Sequence, residues 1–345
     1  MSYQHSKYAG NEGDVIKHIS LIAALDTVMK SWNKDKGNKD KVFSYCDTYA
    51  ANGLNLLKLG IGLHKGISMF RWRDEDVGGR NSHVVTWKNS WWIPPEISCR
   101  KYNFGFYPGS SLLVANLFEK NKIKNYKLRL WDINIDCIED QFKTFCKYDK
   151  TTKCLKLDPK ISLYSESAFG EISPNPDYKN HLEQADFLFV DPPNLAIPET
   201  YKCLANTRAD NGNWTMFWFP LKGYRTKEDN PRIVELDDSK NIRVSNWGNN
   251  SAKILIQYTK GCSNAEKFQK MIGCQIVLVG PPDTEKYKVR SNVKNAIDYV
   301  ITLFKSKTND IIPNNLITFD AENWGLPYGW NLPDQNVGGW PDTNI

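Results

Sequence analysis

Residues 187–194 read Phe187-Leu-Phe-Val-Asp191-Pro-Pro-Asn194, a short apolar run that ends in Asp-Pro-Pro. Four consecutive apolar residues bounded by such a turn are typical of a strand that is buried on both faces within a parallel sheet. Ligands of open α/β sheets bind just beyond the carboxyl ends of these strands. We therefore expect an α/β protein in which Asp191 lies at the ligand-binding edge of the sheet.

The Asp-Pro-Pro turn provides stiff hydrogen-bond acceptors. Each proline has φ fixed at about −65° and no amide proton, and Pro192 keeps Asp191 out of the helical region. The Asp191 carboxylate and the Pro192 carbonyl can accept hydrogen bonds from an exocyclic amine and direct its lone pair toward an incoming methyl group. The turn thus favours methyl transfer to a nucleobase amine. For three residues taken alone, an ordinary acidic turn is the alternative.

Size and composition are those of a globular protein. The chain has 345 residues, of which 41% are apolar and 24% are charged, so it can form one large α/β domain with an insertion or two small domains. We find no run of the roughly 18 apolar residues that a membrane span needs. The polar N-terminus lacks the layout of a secretory signal. We therefore expect a cytoplasmic protein without a membrane partner.

Cysteine spacing bears on a metal or disulfide, and the charge of the chain bears on an anionic partner. The eight cysteines contain no Cys-x-x-Cys pair, which disfavours a zinc site and a disulfide scaffold, and no metal is expected. The net charge is +6, and lysines cluster in Lys34–Lys41 and Lys120–Lys127. These clusters allow a polyanionic partner, although such runs are more often solvated faces.

Helical and strand patterns alternate along most of the chain. Apolar spacing predicts an amphipathic helix over Asp14–Lys30, and a strand over Val42–Cys46 ends at Asp47. Further predicted elements are helices over 110–120 and 135–147 and strands over 126–131 (ending at Asp132), 161–164, 187–190, 215–219, 254–258 and 275–279. This alternation predicts a Rossmann-like fold with a mostly parallel, doubly wound sheet.

Two segments interrupt the alternation. Residues 60–106 are rich in tryptophan, glycine and charge, and we interpret them as an inserted subdomain. Residues 321–345 contain tryptophans among Gly, Pro and Asn, which indicates an irregular C-terminal tail. Residues 1–59 and 107–320 would then form the main domain.

Two strand ends have the layout of a nucleotide-like cofactor site. Asp47 precedes a turn of small residues that runs to Gly53, and the Asp132 carboxylate can bind the ribose hydroxyls of an adenosine. This layout fits a dinucleotide and S-adenosylmethionine equally well. We favour S-adenosylmethionine because the Gly-x-Gly-x-x-Gly run of dinucleotide sites is absent and Asp-Pro-Pro is present.

Several spaced motifs match one known family in the same order. The N-terminus contains Tyr3-Gln-His5, Ala9-Gly-Asn11 and Asp14-Val-Ile-Lys17-His18. Later motifs are Asp47-Thr48, Tyr107-Pro-Gly-Ser110, Asp191-Pro-Pro, Trp218-Phe-Pro220 and Gly273–Pro282. Together they resemble the bacterial large-subunit (23S) ribosomal RNA adenine-N6 methyltransferases, over roughly residues 1 to 300.

The resemblance implies site residues as well as a fold. Asp191 would be the catalytic residue beside Pro192, and Lys17 would lie near the target base. The residues implied at the cofactor are His18, Asp47, Tyr49, Ser110, Asp132, Ser167, Ala168 and Asp191, and those implied at the RNA substrate are Tyr3, His5, Lys17 and Asn194. Taken singly, Tyr3 and His5 could pin the N-terminal arm, Lys17 could be solvated, and Ser110 could be a helix cap.

This chain departs from the family at three places. Tyr49–Gly53 replaces His-Ala-Gly-x-Gly, so we expect the Cβ of Ala51 to obstruct the cofactor or to require a costly φ. Ser167-Ala168 replaces an acidic residue followed by glycine. Asn194 stands where an aromatic residue stacks on the flipped base, a contact of about 1 to 3 kcal/mol. Trp218 and Phe219 are candidates to replace it.

The sequence thus predicts an S-adenosylmethionine-dependent methyltransferase that acts on adenine N6 of nucleic acid and needs no metal. RNA is favoured over DNA by the resemblance alone, with a role in ribosomal RNA processing. The alternative from a different class is a catalytically degenerate methyltransferase fold that serves as a nucleic-acid-binding or protein-binding module.

Overall fold

The computed structural model describes residue 10 and residues 12–38, 40–58, 81–88, 104–169, 175–192, 199–223, 251–258, 270–283, 288–306 and 316–320. The α-helices are α1 (Glu12–Lys34), α2 (Ser82–Lys88), α3 (Ser110–Lys120), α4 (Ile135–Phe145), α5 (Lys179–Gln184), α6 (Glu199–Asp210) and α7 (Val289–Ser306). The strands are β1 (Phe43–Asp47), β2 (Leu54–Lys58), β3 (Phe104–Pro108), β4 (Tyr126–Trp131), β5 (Cys146–Asp149), β6 (Cys154–Leu157), β7 (Ile161–Tyr164), β8 (Phe187–Val190), β9 (Trp214–Gly223), β10 (Ser251–Tyr258), β11 (Lys270–Val279) and β12 (Leu316–Asp320).

An eight-stranded sheet forms the centre, in the order β12-β10-β11-β9-β8-β1-β4-β7. The five neighbouring strands β7, β4, β1, β8 and β9 pair in parallel. The other three pairs of the sheet are antiparallel: β9 with β11, β11 with β10, and β10 with β12. The chain first builds outward from β1 through β4 to β7, and then continues on the other side of β1 with β8 and β9. The strand order therefore reverses between β1 and β8, which is where open α/β sheets bind ligands.

This architecture confirms a mixed α/β fold with a largely parallel central sheet, compatible with the Rossmann-like prediction. The predicted strand that ends at Asp191 is β8, and all four of its residues are buried, as its apolar run predicts. The antiparallel edge was not predicted, because an apolar strand pattern does not encode strand direction. The hairpin of β5 and β6 was also missed, and it shortens the predicted helix over 135–147 to 135–145.

Helix α1 differs from its prediction. It spans Glu12–Lys34 instead of Asp14–Lys30, and every residue from Gly13 to Met29 is buried. It packs against α2, α3, α7 and the sheet, so it is a core helix and not an amphipathic surface helix. Polar residues of α1 are consequently held inside the protein, where they need partners.

The described part of the predicted insertion packs on the main domain. Strands β2 and β3 pair in antiparallel fashion on either side of the segment, and α2 contacts α1. Val84 and Trp87 enter the main hydrophobic core, and His83 Nε2 lies 3.3 Å from the buried Asp26 Oδ2. Burial raises the pKa of Asp26, but hydrogen bonds from His83, Lys30 and Asn121 outweigh it, and the pKa lies below its usual value.

The two lysine clusters lie at the amino ends of the parallel strands, since Lys41 precedes β1 and Lys124 precedes β4. The acids that end these strands are therefore at the opposite edge of the sheet. Most of residues 60–106 and all of the tail over 321–345 lie outside the described residues. In the described part, we find no helix with the length and apolar character needed to cross a membrane.

Candidate active site

Three acidic residues meet at the carboxyl edge of the parallel strands. Asp47 ends β1, Asp132 directly follows β4, and Asp191 directly follows β8. Because β4 and β8 are the two neighbours of β1, these three strand ends lie side by side. Thr48 fixes the alignment, since its N–H donates to the carbonyl of Phe189 at 3.2 Å. The edge at the reversal of strand order is thus acidic.

Lys17 is buried near this edge, between the carboxylate of Asp191 and that of Asp14 on its own helix. Its Nζ lies 2.9 Å from Asp191 Oδ2 and 2.9 Å from Asp14 Oδ1, and its side chain is 5% exposed. The ammonium also lies 5.0 Å from the ring centre of Trp218. Burial lowers the pKa of Lys17, but the attraction of Asp14 and Asp191 outweighs it, so the pKa lies well above its usual value. Lys17 is therefore a permanent cation beside Asp191, and not a solvated helix residue.

Asp14 completes this arrangement and was not predicted as a site residue. Its second carboxylate oxygen, Oδ2, accepts from the backbone N–H of Gly10 at 2.9 Å. Gly10 has φ of 82°, a left-handed conformation that glycine adopts without steric cost. The i, i+3 spacing of Asp14 and Lys17 within one helix is the sequence signal that could have revealed the pair.

Asp47 is fully buried and strongly perturbed. Ser110 Oγ donates to Asp47 Oδ2 at 2.6 Å, and the Tyr49 N–H donates to Oδ1 at 3.3 Å. Burial raises the pKa of Asp47 to about 7, although the bonds from Ser110 and Tyr49 lower it. Ser110 thus holds the Asp47 carboxyl group in place, beyond any capping role at the start of α3.

The raised pKa of Asp47 predicts a pH dependence of stability. The folded protein binds the Asp47 proton more tightly than the unfolded chain, whose pKa is about 3.8, so stability from this group is full below pH 3.8 and is lost as the pH rises through about 7. We expect the free energy of unfolding of wild type, minus that of Asp47→Asn, to fall on the order of 4 kcal/mol between pH 4 and pH 8. Urea unfolding at both pH values measures this difference, and a constant difference would contradict the prediction.

The turn after Asp47 contains the strained residue that the sequence predicted. Ala51 has φ of 48°, a left-handed conformation that costs about 1 to 2 kcal/mol for a residue with a Cβ. Its N–H donates to Asp132 Oδ2 at 3.0 Å, and its carbonyl accepts from Gln141 Nε2 at 2.8 Å. These two bonds hold the turn in its strained form and orient the Asp132 carboxylate.

Gly109 explains why the Tyr-Pro-Gly-Ser motif needs glycine. Its N–H donates to the carbonyl of Gly53 at 2.8 Å, and a Cβ at this position would lie 2.0 Å from the carbonyl oxygen of Asn52. The clash is with backbone atoms, which cannot move aside without displacing the turn. The Ser110 end of α3 and the Asp47 turn are therefore packed directly against each other.

Gly109→Ala should destabilise the protein by about 2 to 4 kcal/mol because the added Cβ overpacks this backbone contact. The matched control is Gly37→Ala, whose Cβ would meet only the Asp35 side chain, at 3.3 Å, and should change stability by about 0.5 kcal/mol or less. Urea unfolding of both variants tests the contrast. Equal losses would refute the close approach at Gly109.

His18 belongs to a buried aromatic group. Its Nδ1 lies 2.7 Å from the Tyr107 hydroxyl, and Trp87 Nε1 donates to the same hydroxyl at 3.3 Å. Tyr107 is fully buried, which raises its pKa well above the usual value and keeps the phenol protonated. The structure thus connects a predicted cofactor residue to two residues that sequence reasoning did not assign to the site.

Ser167 and Ala168 lie just beyond β7, next to the end of β4. Ser167 Oγ hydrogen-bonds within its own turn, to the backbone of Phe169, and Ala168 is buried. Tyr49 is half-buried and shares a hydrogen bond with Tyr201. These residues are therefore at the edge of the sheet, but Ser167 already has a local backbone partner.

Trp218 and Phe219, the candidates for the missing stacking contact, are both buried. Phe219 is fully buried and stacks on Phe217 with ring centres 5.7 Å apart. Trp218 is 7% exposed and has Lys17 over its ring. Within the described residues, its indole N–H has no hydrogen-bond acceptor. Trp218 thus packs against the ammonium of Lys17, the ion-pair partner of Asp191.

Some predicted residues cannot be placed. Tyr3, His5 and Asn194 lie outside the described residues, whereas Pro192 is described and buried. Across the described ranges, we find no group of three or more His, Cys, Asp or Glu side chains arranged to hold a metal ion.

Comparison with known proteins supports the fold. No protein-family model and no curated protein matches the sequence. The chain is similar to the crystal structure of protein LPL1258 from Legionella pneumophila str. Philadelphia 1, described as family-model DUF519, with a TM-score of 0.55 and 16% sequence identity. The match covers 92% of this chain and 100% of the other, so the two proteins share a fold across nearly their whole length.

Proposed function

We propose that the protein is an S-adenosylmethionine-dependent methyltransferase that acts on adenine N6 of nucleic acid, with RNA favoured over DNA. The observation on which this rests is the Asp191 carboxylate at the reversal of strand order, followed by buried Pro192 and paired with buried Lys17 at 2.9 Å. A rigid acceptor at this edge is what orientation of an exocyclic amine requires.

The residues around Asp47 suit a cationic nucleoside cofactor. Asp47 and Asp132 are acidic, and the cofactor bears a positive sulfonium and an ammonium group. Ser110 donates a hydrogen bond to Asp47, and His18, which the family resemblance implies at the cofactor, hydrogen-bonds to Tyr107, three residues before Ser110. When bound, the cofactor would supply an electrophilic methyl group. The protein would contribute orientation and charge complementarity, which can lower the barrier by several kcal/mol.

Asp191 would act on the amine of the target base. A carboxylate has about four acceptor positions, so Asp191 can accept an N–H while it pairs with Lys17. The carboxylate would stabilise the positive charge on nitrogen as the bond to the methyl carbon forms and the carbon–sulfur bond of the cofactor breaks, and it would accept the proton that the amine then loses. Lys17 would fix the orientation of the Asp191 carboxylate through their hydrogen bond of 2.9 Å. Tyr3 and His5 would contact the RNA, as the family resemblance implies.

The second candidate is a degenerate fold that binds nucleic acid or protein without catalysis. Ala51 favours it, since φ of 48° places a Cβ in a turn that family members build with glycine. Titration of the purified protein with S-adenosylmethionine separates the two functions, because the absence of binding at millimolar cofactor would refute the enzyme. If it binds, radiolabelled methyl transfer to unmodified RNA and DNA identifies the substrate class.

A further inference from the structure

Three buried aromatic residues link helix α2 of the inserted segment to His18, which the family resemblance implies at the cofactor. Trp87 and Tyr107 are fully buried, and His18 is 2% exposed. The rings of His18 and Tyr107 are stacked with centres 5.4 Å apart, and Trp87 meets Tyr107 edge-on at 6.4 Å. Packing therefore fixes the orientation of all three rings, and hydrogen bonds of 2.7 Å and 3.3 Å join them in series.

The chemistry of the donors gives this series a direction. An indole N–H can only donate, so the Tyr107 oxygen accepts from Trp87. The Tyr107 hydroxyl has one proton to give and lies 2.7 Å from His18 Nδ1, so the series runs from Trp87 to His18 when that nitrogen is the acceptor. An imidazole that accepts at Nδ1 has its proton on Nε2.

We propose that Trp87 and Tyr107 are positioning residues that hold His18 as the neutral tautomer with its proton on Nε2. This inference deepens the proposed function and depends on it for its consequence, which is that His18 presents an N–H of fixed direction to an acceptor of the cofactor, such as its carboxylate. It also gives the segment over 60–106 a role, because Trp87 from that segment sets the first bond of the series.

Nuclear magnetic resonance of the cofactor-free protein tests the tautomer directly. The chain has five histidines, so the ¹⁵N signals of His18 are assigned by their loss in His18→Gln. In wild type we expect a protonated Nε2 and an unprotonated Nδ1. In Tyr107→Phe both shifts should move toward their average, and in Trp87→Phe they should move less in the same direction. A protonated Nδ1 in wild type, or unchanged shifts in Tyr107→Phe, would overturn the proposal.

Cofactor affinity tests the consequence. Tyr107→Phe should weaken S-adenosylmethionine binding by about tenfold, the worth of one oriented hydrogen bond. The matched controls Tyr126→Phe and Trp32→Phe, which lie outside the series, should leave both the affinity and the His18 signals unchanged. Unchanged affinity in Tyr107→Phe would refute the link to the cofactor.

The two proposals can fail separately. If wild type binds no S-adenosylmethionine, the proposed function fails, while the tautomer of His18 is still measured in the free protein. Should Tyr107→Phe fail to fold, Trp87→Phe removes the indole N–H donor and keeps a smaller aromatic ring, so its His18 shifts, compared with those of the control Trp32→Phe, decide the same question.

Discussion

Asp191→Ala should abolish methyl transfer to RNA, with a rate loss of at least about a thousandfold. The variant removes the acceptor that would orient the amine and stabilise the charge developing on nitrogen. Lys17 retains its ion pair with Asp14 at 2.9 Å, so the core around α1 should stay intact. Initial rates of radiolabelled methyl incorporation measure the loss.

Two comparisons make this result specific. S-adenosylmethionine should still bind Asp191→Ala, although more weakly because Asp191 is itself an implied cofactor residue, since Asp47, Ser110 and Asp132 remain. The matched control is Asp177→Ala, which removes an exposed carboxylate from the loop before α5 and should keep full activity. Full activity of Asp191→Ala would rule out the proposed mechanism.

Lys17→Met should lower the free energy of unfolding by about 3 to 5 kcal/mol and eliminate methyl transfer. Methionine retains an apolar stem of similar length against Trp218, but it leaves the carboxylates of Asp14 and Asp191 without their shared cation. Uncompensated charge in a buried site is costly because little water can replace the lost partner. Urea unfolding and the incorporation assay measure the two effects.

The control for this variant lies on the same helix. Lys30 also pairs with an aspartate, with Nζ 2.6 Å from Asp26 Oδ2, but its side chain is 51% exposed. Lys30→Met should therefore cost about 1 kcal/mol or less, because the lysine end of the pair is solvated and buried Asp26 keeps its contacts with His83 and Asn121. Equal losses of stability in Lys17→Met and Lys30→Met would contradict the prediction that burial makes the Lys17 ion pairs the more costly ones to break.

The fold was largely predictable because its parallel strands are short apolar runs with turns at their ends. Strands β4, β7 and β8 have the predicted bounds, and α3 has the predicted start at Ser110. The apolar pattern could not predict the direction of strand pairing, because the apolar residues of β10 and β11 look the same in a parallel and in an antiparallel pair. The burial of α1 was also missed, because Asp14, Lys17, His18 and Asp26 make a core helix look amphipathic.

The candidate site, like the fold, was predictable only in part. The positions of Asp47, Asp132 and Asp191 at strand ends follow from local pattern, and so does the strain at Ala51, whose φ is 48°. The hydrogen-bonding partners of the site residues do not follow from local pattern. Ser110 donates to Asp47 across 63 positions of sequence, and Trp87 reaches Tyr107 from a segment for which no motif suggested a role.

The sequence by itself determined which residues end the parallel strands and which chemistry they offer, because both depend on runs of a few neighbouring residues. Only the tertiary structure decided that Lys17 lies between Asp14 and Asp191, the latter 174 positions away, and that Asp47 is buried deeply enough to raise its pKa to about 7. Burial and ion pairing arise when distant segments pack and exclude water, and no local pattern specifies which segments those will be.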